Sequence, residues 1–212
     1  LIPDRYQKTL LSAMGVSVLF VGVSGALSQM LRAEGGALTV QGTMMMILSL
    51  AVGAVLGELL DLEDRMERFG AWLKVKTKSE SDGGFIGAFV TASLTVCIGA
   101  MAIVGSIQDG ILGDHATLFA KAVLDLVIIM VMTASMGKGC IFSAIPVGIL
   151  QGSVTLLARL LQPVFTDAAL SNLSLVGSVL VFCVGLNLVW GKKIRVANLL
   201  PSLLIAVIWA FL

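Results

Sequence analysis

Apolar residues run through this chain in long blocks separated by short polar segments. Seven blocks are long enough to be read as membrane crossings: Leu10 to Leu31, Thr43 to Leu60, Phe85 to Ile107, Thr117 to Met136, Cys140 to Leu161, Asn172 to Trp190 and Val196 to Leu212. A helix needs ~20 apolar residues to cross the hydrocarbon of a bilayer. Inside lipid every backbone N–H and C=O must be paired within the span, so runs of this length predict helices. A transmembrane barrel would instead show segments of ~10 residues alternating in polarity, and strands are not expected. The expected fold is all-α: a polytopic transmembrane bundle of seven spans, forming a single transmembrane domain over 1–212.

The longest polar segment, residues 61–84, reads DLEDRMERFGAWLKVKTKSESDGG, with Leu62, Met66, Phe69, Trp72 and Leu73 near helical spacing among the charges. It predicts a cytoplasmic loop whose interfacial helix extends the second span and breaks at Asp82-Gly83-Gly84. Lys and Arg collect in cytoplasmic loops. One alternating set of loops holds Arg5, Lys8, Arg65, Arg68, Lys74, Lys76, Lys78, Lys138, Lys192, Lys193 and Arg195, and the other holds Arg32 and Arg159; Lys121 completes the 14 basic residues. This asymmetry predicts an inner-membrane, multi-pass protein in which the start of the chain is cytoplasmic and the C-terminus outside.

Composition removes several function classes. Hydrophobic residues make up 58% of the chain and charged residues 13%, against roughly a quarter charged in soluble proteins, and mean hydropathy is +1.01. The bilayer is therefore the expected solvent, and seven spans leave no room for a separate catalytic domain. A net charge of +1, without a basic patch, gives no reason to expect nucleic acid. Cys97, Cys140 and Cys183 stand in apolar runs with no CxxC spacing, and one histidine, His115, cannot build a typical zinc site. No metal or cofactor is expected. HExxH, Gly-x-Ser-x-Gly and a Ser/His pairing are missing from the sequence, so enzymatic activity is not expected either.

The chain also resembles itself. With residue 16 laid over residue 179, Val16-Ser-Val-Leu-Phe-Val-Gly22 matches Val179-Leu-Val-Phe-Cys-Val-Gly185 at four of seven positions. Upstream, Leu1-Ile2-Pro3 resembles Leu161-Gln162-Pro163, allowing a gap of three, and downstream Ser49-Leu50 resembles Ser202-Leu203 in the next span. The first expected span thus corresponds to the sixth, an odd offset, which predicts an inverted repeat of the kind found in secondary transporters. The fifth span has no counterpart, and one further Gly-rich span is expected before Leu1.

The stretch Gly99-Ala-Met-Ala-Ile-Val-Gly-Ser-Ile-Gln108-Asp109-Gly110, followed by Gly113-Asp114, Lys121, Leu124-Asp125, Phe142-Ser143-Ala144-Ile145-Pro146, Gln151-Gly152 and Asn198-Leu199-Leu200-Pro201, resembles the YdfK/YqgA-like family of uncharacterised bacterial inner-membrane proteins. The resemblance covers nearly the whole chain. It implies an additional N-terminal span and an inner-membrane location, and points towards transport without naming a substrate.

The candidate site is drawn from polar residues in costly places. Lys121 and Asp125 lie one helical turn apart on the fourth expected span, where charge normally faces a bundle interior or water. They form either an ion pair that locks packing or a gating and proton-coupling pair. Gln108, Asp109 and Asp114 make an acidic outer loop, either a cation-attracting vestibule or an exposed turn. Pro146 and Pro201 are expected inside the fifth and seventh spans, where each would remove a backbone hydrogen bond and free a carbonyl. Ser143, Gln151, Asn187 and Asn198 are the uncharged polar groups nearest those breaks. These residues predict a small-solute or ion transporter or channel; the alternative is a membrane scaffold or regulatory subunit acting through residues 61–84. A homo-oligomer stays open under both.

Overall fold

The computed structural model of the protein describes residues 4–34, 37–78, 83–97, 100–161 and 166–212. Helix α1 (Asp4–Met30) leads into a short hairpin, β1 (Leu31–Glu34) and β2 (Ala37–Val40), then α2 (Thr43–Leu60) and α3 (Leu62–Lys76). Next come α4 (Phe85–Cys97), α5 (Ala100–Leu112), α6 (Ala116–Met136), α7 (Ala144–Leu156), α8 (Ala158–Leu161), α9 (Asp167–Trp190) and α10 (Pro201–Trp209). Two 3-10 turns, Lys138–Ser143 and Val196–Leu199, precede α7 and α10. The all-α class stands.

The count of seven spans does not. Among the described residues, four helical runs are long and apolar enough to cross a membrane: Thr43–Leu60, Ala116–Met136, Lys138–Leu156 and Asp167–Trp190. The other three expected spans fall short. In α1 the apolar stretch among the described residues is Gly15–Met30, and its expected end at Leu31 belongs to β1. Of the run expected from Phe85 to Ile107, the apolar helix among the described residues is Phe85–Cys97. The last run, Val196–Trp209, mixes a 3-10 turn with a short α-helix.

The hairpin is a second departure, since strands were not expected. β1 and β2 pair antiparallel, Leu31 with Val40 and Arg32 with Thr39, and the Gln41 N–H closes the unit on the Met30 carbonyl at 2.8 Å. The turn expected at Asp82, Gly99, and the Leu1-Ile2-Pro3 and Gln162-Pro163 pieces of the repeat lie outside the described residues.

Helix α9 is the spine, burying Leu175, Val176, Leu180, Val184 and Leu188. Helix α1 packs against it antiparallel: Gly15 faces Val189, Gly22 faces Phe182 and Gly25 faces Ser178. A Cβ on Gly22 would stand 2.6 Å from the Phe182 nitrogen, and one on Gly185 would stand 2.8 Å from the Leu19 nitrogen. These two contacts are counterparts, because the offset that lays Gly22 over Gly185 also lays Leu19 over Phe182. Helix α2 lies antiparallel to the last segment in the same manner, Gly53 against Ser202 and Gly57 against Asn198. The start of α1, the end of α2 and the end of α9 therefore share one end of the molecule, and the C-terminal end of α10 lies at the other.

Candidate functional site

The charged pair on α6 packs against α4 at Val96. Helix α6 runs antiparallel to α4 and α5: Gly105 packs against Thr117 and Leu118, and Val96 meets Lys121. Lys121 Nζ donates to the Val96 carbonyl at 2.9 Å and also to the Asp125 carboxylate. Lys121 is only 7% exposed.

Other expected residues are placed as follows. The Gln108 side-chain oxygen accepts from the Thr117 hydroxyl at 2.7 Å, Asp109 pairs with His115, and the Asp114 carboxylate accepts from the Ala116 N–H at 3.0 Å, closing the first turn of α6. The acidic loop thus satisfies itself locally. Asn187 also serves the backbone: its side-chain oxygen accepts from Lys193 N–H and Ile194 N–H, both at 2.9 Å, and its amide donates to the Ile194 carbonyl at 2.7 Å. Ser143 is buried at the end of a 3-10 turn. The side-chain nitrogens of Gln151 and Asn198 are buried without a hydrogen-bond partner.

Neither proline breaks a helix interior as expected. Pro146 is the third residue of α7 and Pro201 the first of α10. In the first turn the N–H has no intrahelical partner, so a proline there starts a helix at no cost. The interruptions are the 3-10 turns before them.

A cavity of about 440 Å³ opens between α3, α4 and α9. Of the ten expected site residues, Asn187 alone lines it. Its mouth carries Glu63, Glu67 and Lys192, and its floor is apolar, with Val90, Leu94, Val184 and Leu188 buried. Thr91 stands on the wall. Glu63 is 3% exposed yet ionisable, and its partners explain how it is tolerated. One carboxylate oxygen accepts from the Ala197 N–H at 3.0 Å and the other is 2.9 Å from the Lys192 ammonium. Lys192 also meets Glu67, while Arg195 joins Glu58 at 3.0 Å and Asp61 at 3.2 Å. Partial burial works against the charged form of Lys192, but the hydrogen bonds it donates to Glu67 and Glu63 outweigh it, and its pKa is raised.

Local chain geometry builds this mouth. Asp61 adopts a left-handed conformation, φ 48°, which ends α2 and turns the chain into α3; Asp is among the few residues that take it readily. One turn later Glu63 faces the 3-10 turn at Val196–Leu199. The pairing of Glu63 and Glu67 with Lys192 went unanticipated. Its one sequence cue is a set of acids around residues 58–67 answered by the Lys192-Lys193-Arg195 run.

Apolar helices that clasp buried charge define the class: this is a membrane protein. Residues 1–211 match the family model described as "Protein of unknown function (DUF554)", and the chain belongs to that family. It is similar to the uncharacterized membrane protein YdfK of Bacillus subtilis (strain 168), 31% identical over 204 residues, covering 96% of this chain and 83% of the relative. It is also similar to the uncharacterized protein YqgA of Escherichia coli (strain K12), 27% identical over 209 residues, covering 97% and 84%. No solved structure matches the chain.

Proposed function

We propose that the chain is a small-solute or ion transporter or channel of the bacterial inner membrane. The carrying observation is the Lys121–Asp125 pair, held among apolar helices with the Lys121 ammonium on the Val96 carbonyl of α4. Ionisable groups in such surroundings are expensive and mark solute or proton paths. The matched contacts of Gly22 with Phe182 and Gly185 with Leu19 support an inverted repeat. The Lys192/Arg195 end, which also carries α3 and its lysines, faces the cytoplasm on the basic-residue rule; the start of the chain is then inside and the C-terminus outside.

The test is flux through proteoliposomes of the full-length protein against panels of ions and small solutes, with Asp125→Asn in parallel. A solute carried by the wild type and not by the variant supports the reading. No flux across the panels, together with an unchanged variant, removes it.

A scaffold acting through residues 61–84 is the second reading, favoured by Trp72, 56% exposed, and its neighbour Val75 on the free face of α3. It predicts that deleting Lys74 to Ser81 abolishes co-purification of a partner while Asp125→Asn leaves it intact.

A further inference from the structure

We propose that the cavity between α3, α4 and α9 binds a compact organic cation, an ammonium group carried on an apolar body. The volume of about 440 Å³ suits a small organic molecule. Two carboxylates, Glu63 and Glu67, share one ammonium, that of Lys192, so the mouth keeps a net negative charge. Lys192 is a tethered copy of the ligand's charged group. It shows where a positive charge rests, and as it reaches both acids it can stay on Glu63 while a second cation takes Glu67.

The burial pattern gives the ligand its orientation. Glu63 is held by Ala197 N–H and Lys192; Glu67 is the more exposed acid and has no backbone donor among the described residues, so it is the available partner. Below it the wall changes to buried Val90, Leu94, Val184 and Leu188, which an apolar body covers and water does not. A bare metal ion is a poor fit, because a hard cation such as Ca²⁺ wants about six to eight oxygens and this wall offers mostly methyl groups. An anion meets a carboxylate-lined mouth.

The transport reading gives the site its purpose, but the test needs no flux. Full-length protein in nanodiscs is titrated calorimetrically with tetrapropylammonium, with ammonium chloride (charge without the apolar body) and with butanesulfonate (apolar body with the opposite charge). Tetrapropylammonium binds at least about tenfold more tightly than either, a gap of ~1.4 kcal/mol. Glu67→Gln weakens it about tenfold, and Lys192→Met, which removes the tethered competitor, strengthens it. Gly87→Leu is the control for folding: Gly87 lines the cavity, and a Cβ there meets nothing within 4 Å. That variant melts no lower than wild type and loses binding. Equal affinity for the three probes, Glu67→Gln and Lys192→Met shifting affinity the same way, or unchanged binding by Gly87→Leu overturns the site. Binding without flux keeps the site and removes transport; flux without cation binding does the reverse.

Discussion

Glu63 and Asn198 cap each other's helical turns. The Asn198 side-chain oxygen accepts from the Glu63 N–H at 2.7 Å, at the start of α3, and the Glu63 carboxylate accepts from the Ala197 N–H at 3.0 Å, in the turn leading to α10. Each residue supplies an acceptor that the other's helix end lacks. The linkage joins segments 134 to 135 positions apart in the chain. Asn198→Ala leaves the buried Glu63 N–H unpaired and should lower stability by about 1–3 kcal/mol, read as a drop in thermal unfolding of the purified protein. An unchanged melt would mean that the two caps are redundant.

Close helix contact at Gly22 and Gly185 leads to a paired prediction. Leucine at either position must displace backbone, of Phe182 in one case and of Leu19 in the other, and overpacking of this kind costs typically 1–3 kcal/mol. As the contacts are counterparts, Gly22→Leu and Gly185→Leu should destabilise to a similar degree. Gly152→Leu, where a Cβ meets nothing within 4 Å, should not. If all three variants melt alike, the α1–α9 interface is looser than described.

Lys192 gives the alkaline limit of the ion network. Its pKa in the folded protein is raised above the ordinary lysine value of 10.5 by Glu67 and Glu63, against the opposing effect of burial. A raised pKa means that the folded state holds the proton more tightly, so the stabilisation is complete below 10.5 and fades as pH rises through the folded value. The stability gap between wild type and Lys192→Met should therefore be constant at neutral pH and shrink in strong alkali. A gap that widens there would reverse the assignment.

Much of this architecture can be read from the chain. The apolar blocks locate the helices, and the spacing of Lys121 and Asp125 correctly puts them on one face, where they bond. What escaped depends on contacts far apart in sequence or on helix ends. Nothing in the apolar run from Phe85 marks the Val96 carbonyl as the partner of Lys121, which comes 25 positions later. Pro146 and Pro201 look like interruptions until their places in the first helical turns are known. Gly35-Gly36 between two four-residue runs is a hairpin signal, overshadowed by the apolar block before it. The Glu63–Lys192 mouth is invisible along one helix, since its partners belong to elements that meet only in the folded protein.

Whether the Lys121–Asp125 pair carries transport or only holds helices together is settled most directly by the double variant Lys121→Met/Asp125→Asn, scored for both folding and flux. Replacing a buried ion pair by neutral side chains of similar shape often leaves stability unchanged or improves it, so the double variant should melt near wild type. Transport through this junction requires it to carry no solute in proteoliposomes under conditions where the wild type does. A folded double variant with wild-type flux would show that the pair is a packing device and would contradict the proposed function.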